Sequence, residues 1–195
     1  MSRPLRAVLI LLLLASCGTR DRSAPKTFDN ACTILKSRPH FVRAFRATER
    51  KWGVPVHVQM ATIYQESKFK ADARTPFRWA IGVIPMGRQS SAYGFAQALD
   101  ATWKEYKQAT GSRSAKRDDI RDATDFMGWY MNITKERNGI PLNDARNQYL
   151  AYHEGHTGYK RGTYRRKAWL MRISGEVGAR SKTYQAQLRT CRRLK

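Results

Sequence analysis

Apolar residues recur every three or four positions along most of this chain, a spacing typical of amphipathic helices. One such run starts at Pro39 and stops at Gly53, residue types that favour a helix start and a helix end. A second run starts at Pro55 and leads into Glu66. Their apolar faces carry Phe41, Val42, Phe45 and Trp52 in the first run and Val56, Met60, Ile63 and Tyr64 in the second.

Four further helices are predicted at about residues 100–110, 117–138, 144–155 and 167–194, the last of them strongly basic. Asp100 is the expected N-cap of the first of these, and Asn143 or Asp144 is that of the third. Residues 70–92 hold prolines and glycines among apolar side chains, and we expect an irregular loop that packs over a functional site. The sequence therefore predicts an all-α domain of five to six helices with little or no β structure.

Residues 1–16 are expected to be an export signal and not part of the fold. Arg3 and Arg6 precede an apolar run that ends at Leu14 and is too short to span a bilayer as a mature helix. The adjoining Leu-Ala-Ser-Cys sequence, which ends at Cys17, resembles the bacterial lipobox. This resemblance implies that Cys17 is lipidated and becomes the new N-terminus. The alternative is an ordinary signal peptide that is cleaved nearby.

Removal of the signal would leave 195 − 16 = 179 residues, a length that suits one globular domain. We expect residues 17–28 to be a polar tether and residues 29–195 to be a monomeric domain. Gly18 follows the cysteine where lipoproteins kept at the inner membrane usually carry Asp. By that resemblance, the lipid anchor belongs on the periplasmic side of a Gram-negative outer membrane. Cys32 and Cys191 are predicted to form a disulfide in this oxidising compartment.

The chain is strongly basic. Its formal net charge is +22, and residues 159–195 contain twelve Lys or Arg but one acid, Glu176. In a cytosolic protein this charge would suggest nucleic-acid binding, but the export signal argues against it. The anionic partners outside the cytoplasm are cell-wall peptides, lipopolysaccharide and anionic lipid headgroups, which a basic surface attracts in a salt-sensitive way. The alternative is a basic helix face that is merely solvated.

Glu66 lies where the apolar pattern of its predicted helix ends. Partial burial and the negative end of the helix dipole both favour the protonated carboxyl and raise its pKa. A carboxylic acid that keeps its proton near neutral pH is the general acid that cleavage of a glycosidic bond requires. The alternative is a solvated Glu at a fraying helix end.

Three short sequence motifs are informative in combination. They are Glu-Ser at 66–67, a Gly-x-x-Gln turn at 94–97, and Ala-Tyr-x-x-Gly at 151–155. In this order they resemble the soluble lytic transglycosylase (SLT) domain of the lysozyme-like superfamily, over roughly residues 50–160. The resemblance implies a lysozyme-like helical fold around a sugar-binding cleft, with peptidoglycan glycan strands as the substrate.

At matching positions the resemblance implies that Glu66 is the single catalytic acid/base. Ser67 would hold substrate beside it, Gly94 and Gln97 would line the sugar cleft, and Tyr152 would orient the catalytic carboxyl. The family usually carries Asn where this chain has His153, a departure that suggests a divergent branch with altered substrate handling. Further candidates for stacking on sugar rings are Phe77, Trp79, Tyr93 and Phe95.

One carboxylate is enough for the chemistry that the resemblance implies. Ordinary glycosidases need two, but a lytic transglycosylase lets the C6 hydroxyl of its own substrate attack and forms 1,6-anhydroMurNAc. A hydrolytic, goose-type lysozyme would need a second acid, for which Asp72 and Glu154 are the candidates. A non-catalytic wall-binding lipoprotein is the other alternative. The spacing of His153 and His156 does not fit the zinc helix motif, and we predict no metal or other cofactor.

Overall fold

The computed structural model describes residues 24–81 and 83–191 and is mostly helical there. The predicted signal at 1–16, Cys17 and the tether up to residue 23 lie outside the described residues. The all-α prediction is confirmed, with seven α-helices in the described part instead of five or six. In chain order the elements are α1 (Ala31–Ser37), α2 (Pro39–Trp52), α3 (Val56–Ser67), β1 (Phe77–Ala80), β2 (Ile84–Arg88), α4 (Asp100–Thr110), α5 (Ile120–Asn138), α6 (Ala145–Lys160), a 3-10 turn (Thr163–Arg166) and α7 (Ala168–Thr190).

The sequence pattern does not predict helix α1 or the strand pair β1–β2. Helix α1 has only two turns, too few for a periodic pattern, although the Asn30 side chain caps it by accepting from the Thr33 amide at 3.0 Å. The predicted irregular loop at 70–92 contains the antiparallel pair β1–β2, in which Trp79 lies opposite Pro85. Because β1 is exposed along nearly its whole length, no alternation of buried and exposed residues marks it as a strand.

Helix boundaries differ from the predictions by a few residues. Asp100 is the first residue of α4, and Leu99 occupies the cap position. Asp144 caps α6, because its carboxylate accepts from the Asn147 amide at 3.1 Å. Helix α6 is interrupted at Gly155, whose φ of 73° and ψ of 160° are not helical, so the predicted helix end is a kink beyond which a second helical segment runs to Lys160.

Helix α3 is the central element of the packing. It is buried from Val58 to Ile63 without a polar face, the pattern of a helix enclosed on all sides. Helix α7 lies against both α3 and α6, and α2 packs along α5. The last contact is close at Gly128, where a Cβ would come within 2.5 Å of the Trp52 ring. None of the described helices combines the length and apolarity needed to cross a bilayer.

The beginning and the end of the described domain are joined. A disulfide connects Cys32 in α1 to Cys191 after α7, with 5.9 Å between their Cα atoms. Beside it, Gln187 accepts from the Ala31 amide and donates to the Asp29 carbonyl, both at 2.8 Å. Helix α7 is therefore held at both its packed face and its C-terminal end.

Replacing both disulfide cysteines, Cys32→Ser with Cys191→Ser, should lower the free energy of unfolding by up to about 5 kcal/mol, because the crosslink closes a long loop in the unfolded chain. Urea denaturation measures the loss. Each single Ser variant, kept reduced, should lose about as much as the double variant. A double variant as stable as the wild type would contradict the assignment.

Candidate functional site

Glu66 is the penultimate residue of α3, which ends where Lys68 turns left-handed with a φ of 52°. The residue is only partly exposed, and its carboxyl lies near the C-terminal end of the helix. Burial raises the pKa of Glu66 to about 8, against smaller opposite effects of the Tyr149 hydroxyl and the Lys68 ammonium. At neutral pH this carboxyl therefore holds its proton.

Tyr149 of α6 is a group that acts on the carboxyl. Its hydroxyl acts as a hydrogen-bond partner that lowers the pKa of Glu66. Burial and then the neighbouring Glu66 charge raise the pKa of Tyr149, so the hydroxyl keeps its proton at any physiological pH and can always donate. Tyr149 was not among the residues predicted for the site from the sequence. A signal was present, because Tyr149 and Tyr152 are three residues apart and share one face of a helix.

Tyr152 has its hydrogen-bond partner in the neighbouring turn. Its hydroxyl donates to the Ala96 carbonyl at 2.6 Å and so ties α6 to the Gly-x-x-Gln turn. Burial and then the Glu66 charge raise the pKa of Tyr152, which places its ring near the carboxyl without a direct bond. Tyr152 thus holds the adjacent turn, and its role in orienting the carboxyl stays a prediction.

The turn at 94–97 has a conformation that requires its glycine. Gly94 has a φ of 80°, and a Cβ there would lie 2.1 Å from the Arg117 carbonyl oxygen, too close for any side chain. The Gln97 amide group donates to the carbonyls of Ala73 and Gly94 at 2.9 and 2.8 Å. Gln97 therefore fixes the shape of the turn.

Tyr93 precedes this turn and lies between two cations. The guanidinium carbons of Arg74 and Arg117 are 4.3 and 5.4 Å from the centre of its ring. The residue is partly exposed, whereas Phe95 is buried in the core. Of the ring candidates near the turn, Tyr93 is accessible to a ligand and Phe95 is not.

Two of the predicted substrate contacts are engaged within the protein. Ser67 is buried, and its hydroxyl donates to the Ile63 carbonyl at 3.2 Å within its own helix. His153 is exposed, and its Nδ1 lies 3.0 Å from Glu154, while its ring meets the Trp169 ring edge-on. The structure therefore does not bring these two side chains to Glu66 by any direct contact.

The candidate second acids have other roles. The side chain of Glu154 is 3% exposed and bonds to Lys167 at 2.7 Å, to His153 and to Thr163. Burial alone would raise the pKa of Glu154, but these three hydrogen bonds lower it to about 2. Glu154 is an enclosed, permanently ionised structural group. Asp72 is 59% exposed and lies 3.9 Å from Lys70.

The second histidine of the 153–156 segment is a packing residue. His156 Nε2 lies 3.0 Å from the Thr134 hydroxyl, and its ring stacks on Tyr130 with 4.3 Å between centres. Within residues 24–81 and 83–191, no three His, Cys, Asp or Glu side chains converge as a metal site would need.

A stability measurement tests the environment of Glu66. With a folded-state pKa of about 8 against 4.5 in the unfolded chain, the unfolded state loses the Glu66 proton first as pH rises. Below pH 4.5 the Glu66 carboxyl is protonated in both states and does not lower the free energy of unfolding. Above pH 8 it is ionised in both states, and its burial lowers the free energy of unfolding by the full amount. Glu66→Gln should melt with the wild type at pH 4.5 and at least about 10 °C above it at pH 8.5. Glu176→Gln, at an exposed position, is the control, and a gap that does not grow with pH would contradict the burial.

Comparison with known protein families finds a match that covers most of the chain. The family model of the transglycosylase SLT domain matches residues 5–191. The match is longer than the stretch of 50–160 that the three motifs covered, and it includes the basic helix α7. No curated protein matches the chain. With nearly its whole length matched and a mostly helical, lysozyme-like fold, the chain belongs to the transglycosylase SLT domain family.

Proposed function

We propose that this protein is a peptidoglycan lytic transglycosylase that cleaves the β-1,4 bond between MurNAc and GlcNAc with Glu66 as its only acid/base. One observation carries the proposal: the Glu66 carboxyl is protonated at neutral pH and is held by a hydroxyl that can always donate. The family match supplies the class of reaction and the class of substrate.

In the first step, the neutral Glu66 carboxyl gives its proton to the glycosidic oxygen as the bond to the MurNAc anomeric carbon breaks. A pKa of about 8 keeps the acid loaded at the pH where it works. The carboxylate that remains is stabilised by the Tyr149 hydrogen bond, the same contact that moderates the pKa of the acid. Tyr149 therefore serves the ionised form of Glu66, which burial alone would make too costly.

In the second step, the Glu66 carboxylate removes the proton from the C6 hydroxyl of the same MurNAc while that oxygen attacks the anomeric carbon. The 1,6-anhydro ring closes, and Glu66 returns to its protonated state. No water takes part and no second carboxylate is needed, unlike in hydrolytic glycosidases.

The state of the other acids favours this route over a goose-type lysozyme. Activation of a water needs a carboxylate that can accept a proton near neutral pH. Glu154, with a pKa near 2 and three hydrogen bonds, is a poor base. The main influences on the pKa of Glu66 are burial, Tyr149 and Lys68, and none of these is an acid.

For substrate binding we propose that the partly exposed Tyr93 lines the cleft beside the turn at 94–97. Arg74 and Arg117 next to it would attract the carboxylates of wall peptides. Gly94, Gln97 and Tyr152 would shape the cleft wall through the bonds described above. Ser67 and His153 would act at most indirectly. We further propose that Cys17 is lipidated and anchors the domain on the periplasmic side of the outer membrane.

Digestion of purified sacculi tests the reaction. Wild-type protein should release anhydro-muropeptides, identified by mass, and Glu66→Gln should reduce the rate at least about a thousandfold, because it removes the only acid/base. Glu176→Gln, the same change at an exposed position, should keep full activity. Reducing-end products would instead indicate a lysozyme. If wild-type protein binds sacculi but releases no fragments, the non-catalytic wall-binding alternative holds.

The pH dependence of the digestion separates the two tyrosines. Wild-type activity should fall as pH rises through about 8, where Glu66 loses its proton. Tyr149→Phe should slow the reaction about tenfold and move this fall to higher pH, because its hydrogen bond lowers the pKa of Glu66. Tyr152→Phe, which loses the Ala96 contact instead, should leave the fall in place. Initial rates of digestion measured from pH 5 to 10 give the pH profile of each variant. Identical profiles for Tyr149→Phe and Tyr152→Phe would contradict the separate roles of the two tyrosines.

A further inference from the structure

The β1–β2 hairpin presents an apolar surface to solvent. We use the name apolar hairpin for β1, β2 and the described turn residues between them. Seven large apolar side chains are exposed in the described part of the chain, and five of these belong to the hairpin. Their exposed fractions are 90% for Ile81, 73% for Val83, 61% for Met86, 58% for Trp79 and 42% for Phe77. Exposed apolar clusters of this kind usually mark an interaction surface.

The base of the apolar hairpin is closed by hydrogen bonds between its two flanking segments, while Ile81 and Val83 at its far end are exposed. Thr75 holds the base, because its hydroxyl donates to the Ser90 carbonyl at 3.0 Å and its carbonyl accepts from Arg88 at 2.8 Å. At the turn, the Val83 amide donates to the Ala80 carbonyl at 3.2 Å. Ordered strands thus carry side chains that make no contribution to the core.

The charges around this surface have one sign. Residues 73–90 include Arg74, Arg78 and Arg88 and contain no acid. The guanidinium of Arg88 lies 6.0 Å from the centre of the Phe77 ring, at the base of the hairpin. Phe77 and Arg88 therefore lie at the base, Trp79 lies closer to the turn, and the aliphatic Ile81 and Val83 lie at the turn.

We propose that the apolar hairpin inserts its turn into the interfacial region of an anionic lipid bilayer. Aliphatic tips with a tryptophan and arginines behind them match the order of the layers in a membrane surface: acyl chains, then the interface, then anionic headgroups. The net charge of +22 adds long-range attraction to such a surface.

Other occupants fit the apolar hairpin less well. Ile81, Val83 and Met86 offer a sugar neither a ring face nor a hydrogen bond, so a glycan strand would leave them in water. A second copy of the chain would bring two strongly positive proteins together. An anionic bilayer satisfies both the apolar turn and the arginines.

Vesicle flotation tests the proposal with the chain from residue 17 onward carrying Cys17→Ser, so that no attached lipid contributes. Wild type should float with vesicles that contain phosphatidylglycerol at 0.15 M salt and much less with pure phosphatidylcholine. Ile81→Asp with Val83→Asp should weaken binding about tenfold or more, because two charges would have to enter the interface. Ile81→Leu with Val83→Leu should bind as wild type does.

A matched control separates insertion from a change in net charge. Ala168→Asp with Ala186→Asp adds the same two charges at exposed positions of α7 and should keep nearly all of the vesicle binding. Circular dichroism melting confirms that each variant is folded.

Two results would overturn the proposal: wild type that does not float with anionic vesicles, or an Asp variant of the hairpin that floats as wild type does. In the second case, loss of sacculus pelleting by that variant would assign the hairpin to the glycan. Muropeptide release is measured separately, so the vesicle result does not depend on the proposed reaction.

Discussion

The removal of the Glu66 carboxyl from bulk water is the constraint on which the site depends. Helix α3 is buried for most of its length, and its end brings the penultimate residue, Glu66, into partial burial. The ionised carboxyl then becomes costly, which raises its pKa. One hydroxyl from α6 partly offsets that cost. The arrangement gives an acid that is both loaded and able to release its proton.

The surrounding helices hold this geometry with charges as well as with apolar packing. Helix α7 lies against α3 and α6, and basic residues in and near these helices have partners inside the fold. Arg180 and Lys68 lie 3.7 and 3.8 Å from the centre of the Tyr64 ring, and Lys167 pairs with Glu154. The basic C-terminal region is therefore in part a structural element of the domain, in line with its inclusion in the family match.

The sequence predicted the long, periodic helices and the Cys32–Cys191 disulfide well, and the partners of polar side chains poorly. The acid at the end of α3 could be located because periodicity reveals both the buried face and the helix end. The choice between Tyr149 and Tyr152 could not be made, since both lie on one helix face and only the neighbouring segments distinguish them. Likewise, Glu154 looked free as a base because its partner Lys167 is reached only after the chain turns back through Thr163–Arg166. The strands were not predicted because the exposed apolar residues of β1 give no alternation of buried and exposed positions.

The disulfide between Cys32 and Cys191 closes most of the described chain into a covalent ring. With 5.9 Å between these Cα atoms, the chain could be linked there and opened at a surface loop elsewhere, as in a circular permutant, with little change in the path of its helices. All three motif segments lie well inside this ring. The order of the three segments along the chain could thus change without a change in their arrangement in space. The positions of the acid, the turn and the tyrosines depend on how the helices pack and not on where the chain starts.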